Sequence, residues 1–175
     1  MEVCAQRYSS FAGIPFGATR ETVIEEVMKL GYEPYGHTGE GERVVIPVYM
    51  LDDLPVQVDF IFNQNDKFYA FEIRTGRVER ARLSKSFEAV AYMSEQFTAK
   101  YGQSSQDPTL KESDLREGIH NIYQQWFGVK ALDIYTGIVL KDGRCFAIGT
   151  VTHRTLAKEG RGAKKAREKV VAPAF

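Results

Sequence analysis

Residues 11–31 read FAGIPFGATRETVIEEVMKLG, and this stretch decides the fold: a Gly-rich turn leads into one short amphipathic helix with both ends marked. Thr19 is placed to cap the helix, because its hydroxyl can accept from an unpaired backbone N–H of the first turn. Glu21 sits where the helix dipole favours a negative charge. Val23, Ile24, Val27 and Leu30 recur at helical spacing, with Glu25 and Lys29 an i,i+4 pair on the other side. Gly31 supplies a left-handed stop. A related ending, Ala99-Lys100-Tyr101-Gly102, closes a second helix expected over about 84–101. Its stripe of Phe87, Val90, Phe97 and Tyr101 must be buried against something.

Each helix is followed by strand-like sequence. Residues 44–50, VVIPVYM, are β-branched and aromatic, but Pro47 cannot donate to a ladder, so this is an edge strand or carries a bulge. Val56, Val58, Phe60 and Phe62 alternate with Gln57, Asp59 and Ile61, and Phe68 to Arg74 returns after a turn-rich Asn63 to Asp66. The simplest arrangement is a three-stranded meander over 44–75. Residues 103–118 are polar and read as a surface loop, with room for one helical turn, before a strand from Ile122 to Phe127. Asp142-Gly143 between two alternating runs is a type I′ hairpin, since both turn residues need positive φ. Setting Lys141 opposite Arg144 pairs Leu140 with Cys145, Ile138 with Ala147 and Thr136 with Gly149. The small residues Ala147 and Gly149 suit a helix packed closely on the sheet. The expected fold class is α+β, an antiparallel sheet with helices on one face, built as two helix-plus-three-strand halves over about 11–76 and 84–153.

The bulk numbers agree with one domain over residues 1–153. A chain of 175 residues hides roughly 70% of its unfolded surface on folding, enough for a core without staples. From Arg154 onward seven basic residues face two acidic ones, so 154–175 reads as a basic, flexible tail of net +5 and the body carries −5. An acidic body does not fit a nucleic-acid binder, and no apolar run approaches the ~20 residues of a membrane span. MEVCAQRYSS has neither a basic n-region nor an apolar h-region, which excludes a signal peptide in this stretch. The expectation is a cytoplasmic protein, or a periplasmic or cell-envelope one if Met1 stands at a mature N-terminus. Cys4 and Cys145 match no metal or redox spacing. They read as two unpaired thiols, with a disulfide between them as the alternative in an oxidising compartment.

The string Phe11-Ala12-Gly13-Ile14-Pro15-Phe16-Gly17, followed by a helix, strands and a second helix ending Lys100-Tyr101-Gly102, resembles small bacterial α+β domains of the SmpA/OmlA and β-lactamase-inhibitor-protein-like type. In those, short helices pack on one face of an antiparallel sheet. The resemblance covers roughly residues 11–153 at the level of pattern. It implies a binding or assembly role in the cell envelope, through the open sheet face or its edge, with no catalytic residues to carry over.

The residues themselves point the same way. His37, His120 and His153 lie outside metal-ligand spacing of one another, Asp52-Asp53 reads as a turn, and the Gly36–Gly41 segment carries carboxylates that oppose a phosphate cradle. No catalytic, metal or cofactor residue is assigned. What remains is a surplus of rings, with eleven Phe, nine Tyr and one Trp. Tyr49, Asp59, Trp126, Asp133 and Tyr135 are the candidates for the sheet face away from the helices. Aromatics interleaved with carboxylates make a protein-binding surface, because Trp and Tyr dominate interface hot spots. The expected function is therefore a non-enzymatic module that binds a protein partner through the open sheet face. The alternative is a small-molecule-binding protein or hydrolase with a pocket between sheet and helices.

Overall fold

A computed structural model describes residues 8–36 and 42–159. The chain opens with strands β1 (Ser10–Phe11) and β2 (Ile14–Pro15), which pair across Ala12 and Gly13, both at positive φ. Helix α1 (Arg20–Lys29) follows. Thr19 caps it as expected, accepting from the Thr22 N–H at 3.3 Å, and Gly31 takes φ 94° past its end. Lys29 pairs with Glu26 at 3.0 Å rather than with Glu25, so the helix-surface ion pair is i,i+3. Val23 and Val27 are buried, whereas Leu30 is exposed. Arg20 is buried too: its guanidinium donates to Asp66 and to the Glu42 carbonyl and lies 4.3 Å over the Phe62 ring.

The first meander comprises β3 (Tyr35–Gly36), β4 (Val44–Leu51), β5 (Leu54–Phe62) and β6 (Phe68–Arg74). After β7 (Val78–Glu79) comes helix α2 (Leu83–Tyr101), ending at Gly102 with φ 89°. The second meander is β8 (His120–Trp126), β9 (Leu132–Lys141) and β10 (Arg144–His153). β6 and β10 join the two meanders into one antiparallel sheet of order β3-β4-β5-β6-β10-β9-β8, with the short β7 also paired to β10. The fold is therefore α+β with an open sheet. The loop before β8 holds one 3₁₀ turn at Glu112–Asp114.

The β9–β10 ladder runs unbroken from Lys141↔Arg144 to Leu132↔His153, in the register the Asp142-Gly143 turn dictates. Inward-facing residues from both meanders and both helices form one apolar core. α2 lies so close to β10 that a Cβ on Gly149 would stand 2.7 Å from Phe97 and 2.8 Å from the Met93 sulfur. A larger residue there would have to push the ends of Phe97 and Met93 aside, and the neighbouring Ser94 and Thr136 hydroxyls share a buried 2.7 Å hydrogen bond that fixes helix to strand.

Three bulges interrupt the other ladders, at Ile46/Tyr49, Ile61/Phe62 and Ile122/Gln124. Two of them change which face carries an aromatic. A straight β8 ladder continued from Ile122↔Gly137 would set Trp126 opposite Asp133 on the open face; the extra residue sets it opposite Ile134 instead. Trp126 is accordingly a core residue, 2% exposed, with its indole N–H donating to the Gly102 carbonyl at 2.8 Å. The bulge after Ile46 turns Tyr49 inward in the same way, opposite Val56.

Cys145 is a free, buried thiol. Cys4, His37 and the basic segment from residue 160 on lie outside the described residues. Residues 154–159 are helical and tied down: Asn63 donates to the Leu156 carbonyl at 3.0 Å, and Arg154 donates through its backbone to Ala131 and through its guanidinium to Asp133.

Candidate functional site

The five residues expected to share one surface do not form one site. Tyr49 and Trp126 face the helices, while Asp59, Asp133 and Tyr135 face away. Asp59 and Tyr135 lie in one transverse row of the open face, Asp59↔Glu72↔Thr150↔Tyr135. Three strand spacings separate them by about 14 Å. Asp59 is 3% exposed and wholly engaged, receiving Arg43 and Arg74 at 3.1 Å each and Gln57 at 2.8 Å, while Arg43 also bridges to Glu72. Burying a carboxylate on a sheet face costs heavily unless cations accompany it, and here two do. Asp133 pairs with Arg154 at 3.0 Å, and the Tyr135 hydroxyl meets His120 Nδ1 at 2.7 Å.

The inner face holds a different arrangement. Between the β1–β2 hairpin, the last turns of α2 and the floor of the sheet lies an open pocket of about 800 Å³. Phe71 and Ile73 make its floor, Tyr49 and Leu51 one wall, and Phe97 and Lys100 the helix side. Its position follows from local sequence. The Ala12-Gly13 turn folds Phe11 back over the sheet, where its ring lies 5.0–5.3 Å from Tyr49, Phe60 and Phe71. The hairpin and helix then stand apart at their ends, bridged by Lys100, whose ammonium donates to the Ser10 carbonyl and sits 5.8 Å from the Phe71 ring and 5.3 Å from the Tyr101 ring.

Tyr101 is the unusual member. It is 7% exposed, lines the pocket, and its buried hydroxyl has no hydrogen-bond partner among the described residues. Burial pushes its phenol far above the ordinary range, so the O–H stays a donor at any physiological pH. An unsatisfied buried hydroxyl costs on the order of 1–3 kcal/mol. Burial and the neighbouring Tyr32 raise the Tyr49 phenol as well.

Among the described residues no group of three or more His, Cys, Asp or Glu gathers as a metal site, and no helix is long and apolar enough to cross a membrane. Lys100 and Tyr101 had been visible only as part of a helix exit, with Tyr101 in the buried stripe. Their tandem position on the last turn, one residue before the Gly102 stop, was the available signal. It sets a phenol at the end of the apolar stripe and a cation on the adjoining side of the same turn. Arg43 and Arg74 were signalled by Asp59 itself, a carboxylate between Val58 and Phe60 that needs cations on the flanking strands.

Comparison with protein-family models, with curated proteins and with solved structures finds no match.

Proposed function

We propose that this chain is a binding protein that takes a small molecule into the pocket between the β1–β2 hairpin, α2 and the inner face of the sheet. The observation that carries this reading is the pocket itself, about 800 Å³, lined by the rings of Phe11, Tyr49, Phe71 and Phe97 with Lys100 on the helix side. Pockets of this size, mostly apolar with a few placed polar groups, are where small ligands bind. Binding rather than turnover suits the described lining, in which Ser10 is the one aliphatic hydroxyl and no His or carboxylate stands by to activate it.

A fragment titration followed by amide NMR tests the proposal. Shifts clustering at Ala12, Gly13, Leu51, Gln96 and Ala99 are expected. Fragments that shift none of these amides would overturn it.

A second reading, in which a protein partner docks on the open face, is favoured by one observation. Ile122 is exposed there, in one transverse row with Ile148 of the buried Val139–Phe146–Ile148 cluster, and Arg77 lies 5.7 Å over Phe146 at the edge of a cleft lined by Pro47, Pro55 and Arg74. Shifts confined to Tyr135, Phe146 and Ile148 in the same spectra would move the assignment to that face.

A further inference from the structure

The cleft on the open face is built by two departures from regular pairing. Between the pairs Arg74↔Ile148 and Val78↔Cys145, the three residues Thr75, Gly76 and Arg77 face only Phe146 and Ala147 of β10, and the surplus residue bends the chain there. Pro47 and Val48 likewise stand together against Gln57 where β4 bulges. The cleft between these bulges, about 540 Å³, has Pro47, Val48 and Pro55 on one side, Gln57 and Arg74 across its middle, and Arg77 over Phe146 on the other. Its charges are of one sign: among the described lining residues Arg74 and Arg77 are charged, and no carboxylate joins them. Arg43 and Arg74 match Asp59 and Glu72 in number, and Glu79 stands in register with Arg144, so Arg77 is the surplus cation. Its exposed guanidinium makes no ion pair or hydrogen bond among the described residues and rests 5.7 Å from the Phe146 ring. The Arg74 guanidinium gives one N–H to Asp59. A guanidinium carries five N–H donors, so most donors of both arginines have no acceptor among the described residues.

We infer that this cleft docks an extended acidic segment of a partner protein, an apolar side chain of the segment lying against Pro47, Val48 and Pro55 and its carboxylate meeting Arg77 and Arg74; this rests on the open-face reading above and not on the inner pocket. Charge complementarity carries the choice, because a carboxylate is the partner that a fork of guanidinium donors takes with a charge-assisted bond. The apolar side is as bare as a docking wall requires: Val48 is 61% exposed. Since β3 pairs only with Val44 and Val45, the outer edge of β4 beyond Ile46 has no neighbouring strand among the described residues, and the segment enters there. Val48, Gln57 and Arg74 lie on three adjacent strands, so about 10 Å separates the apolar wall from the first guanidinium, a span that an extended chain covers in about three residues. The fitting segment therefore carries its carboxylate about three residues from its apolar anchor. The chain's own segment from residue 160 on is basic and would meet like charge. A nucleic-acid strand would bring a charge at every nucleotide onto a face that also holds Asp59, Glu72 and Asp133.

The test titrates two capped peptides, Leu-Ser-Ser-Glu-Glu and Leu-Ser-Ser-Gln-Gln, into the full isotope-labelled chain at low salt, with amide NMR as the readout. The acidic peptide should shift the amides of Val48, Gly76 and Arg77, and the glutamine peptide should bind about tenfold more weakly. Arg77→Gln changes an exposed side chain that has no ion pair to lose, so the fold should be kept while the acidic peptide weakens severalfold and the neutral one does not. Val48→Ser should weaken both peptides alike. Equal affinities for the two peptides, or an acidic-peptide affinity unchanged in Arg77→Gln, overturns the acidic partner and leaves docking on the open face standing. An oligothymidylate of about ten nucleotides that shifts the same amides at lower concentration than the acidic peptide assigns the cleft to nucleic acid and overturns it as well. If neither peptide moves any open-face amide, Tyr135 and Ile148 included, the open-face reading falls with the inference.

Discussion

The β9–β10 hairpin and the strands β4 and β8 belong to one sheet, yet they obey the rule of alternation differently. In the hairpin, ten consecutive pairs keep register from the Asp142-Gly143 turn to His153, so every side chain lies on the face that a period of two assigns it. In β4 and β8 one extra residue enters partway, and everything beyond it changes face. Both displaced aromatics, Tyr49 and Trp126, lie past such a bulge. Alternation is therefore reliable only as far as the nearest bulge, and the aromatics that looked like a binding surface turn out to build the wall and backing of an inner pocket.

The largest effect should separate the two strand types directly. Trp126→Ala removes a fully buried indole and its hydrogen bond to Gly102 and should cost about 4 kcal/mol in urea unfolding. Tyr135→Ala, on the open face of the unbulged β9, should cost about 1 kcal/mol, since Tyr135 is only half-buried. Equal costs for the two would break the comparison by returning Trp126 to the outer face.

A smaller contrast sharpens what the open face is. Asp59 and Asp133 both stand on it, but Asp59 holds two arginines with its side chain 4% exposed, whereas the Asp133 side chain is 59% exposed and meets Arg154 alone. Removing one partner of a buried ion pair leaves uncompensated charge. Because the arginine side chains are 43% and 28% exposed, the loss for Asp59→Ala is set at about 2 kcal/mol rather than the full buried value. Asp133→Ala should cost about 0.5 kcal/mol or less and fade in salt. A loss for Asp59→Ala as small as that for Asp133→Ala would mean the lattice around Asp59 is solvated and contributes no rigidity to the face.

The same contrast explains what was legible in the sequence. Helix α1, with Thr19 and Gly31, helix α2, the first meander and the hairpin register all follow from local chemistry, and the fit of Gly149 under α2 follows from the hairpin register. Pro47 even announced its bulge, but its consequence two residues later, the inversion of Tyr49, had to be carried through the ladder. The β8 bulge had a subtler mark in Gly137, where a Cβ would stand 2.4 Å from the Asn121 carbonyl oxygen; a mid-strand glycine signals such an approach. The pocket was not legible, because its lining comes from the β1–β2 hairpin, β4, β6 and α2, segments up to ninety residues apart such as Ser10 and Lys100. Their meeting depends on tertiary packing, and no local pattern carries it.

The smallest effect lies where the well-ordered ladder ends. His153 closes β10 and caps the helical residues 154–159, its Nδ1 accepting from the Leu156 N–H at 3.3 Å. That bond requires a neutral ring, because an imidazolium has no lone pair to offer. Burial, chiefly, and the adjacent Arg154 lower the His153 pKa, against a backbone hydrogen bond that raises it, while Phe16 packs at 5.7 Å. The unfolded chain therefore binds this proton more readily than the folded one. The stabilisation is complete above the ordinary histidine pKa of about 6.5 and declines as pH falls through that value toward the lower folded one. Amide exchange at Leu156 should accordingly speed up on acidification, after correction for intrinsic rates, while exchange at Ile138 in the middle of the hairpin stays slow. His153→Asn keeps a capping acceptor that does not titrate, so it should remove the pH dependence without loosening the segment at neutral pH. If Leu156 exchange in the wild type does not depend on pH across this window, the cap is not what holds residues 154–159 to the sheet. That role would then pass to Asn63 and Asp133, which also grip the segment.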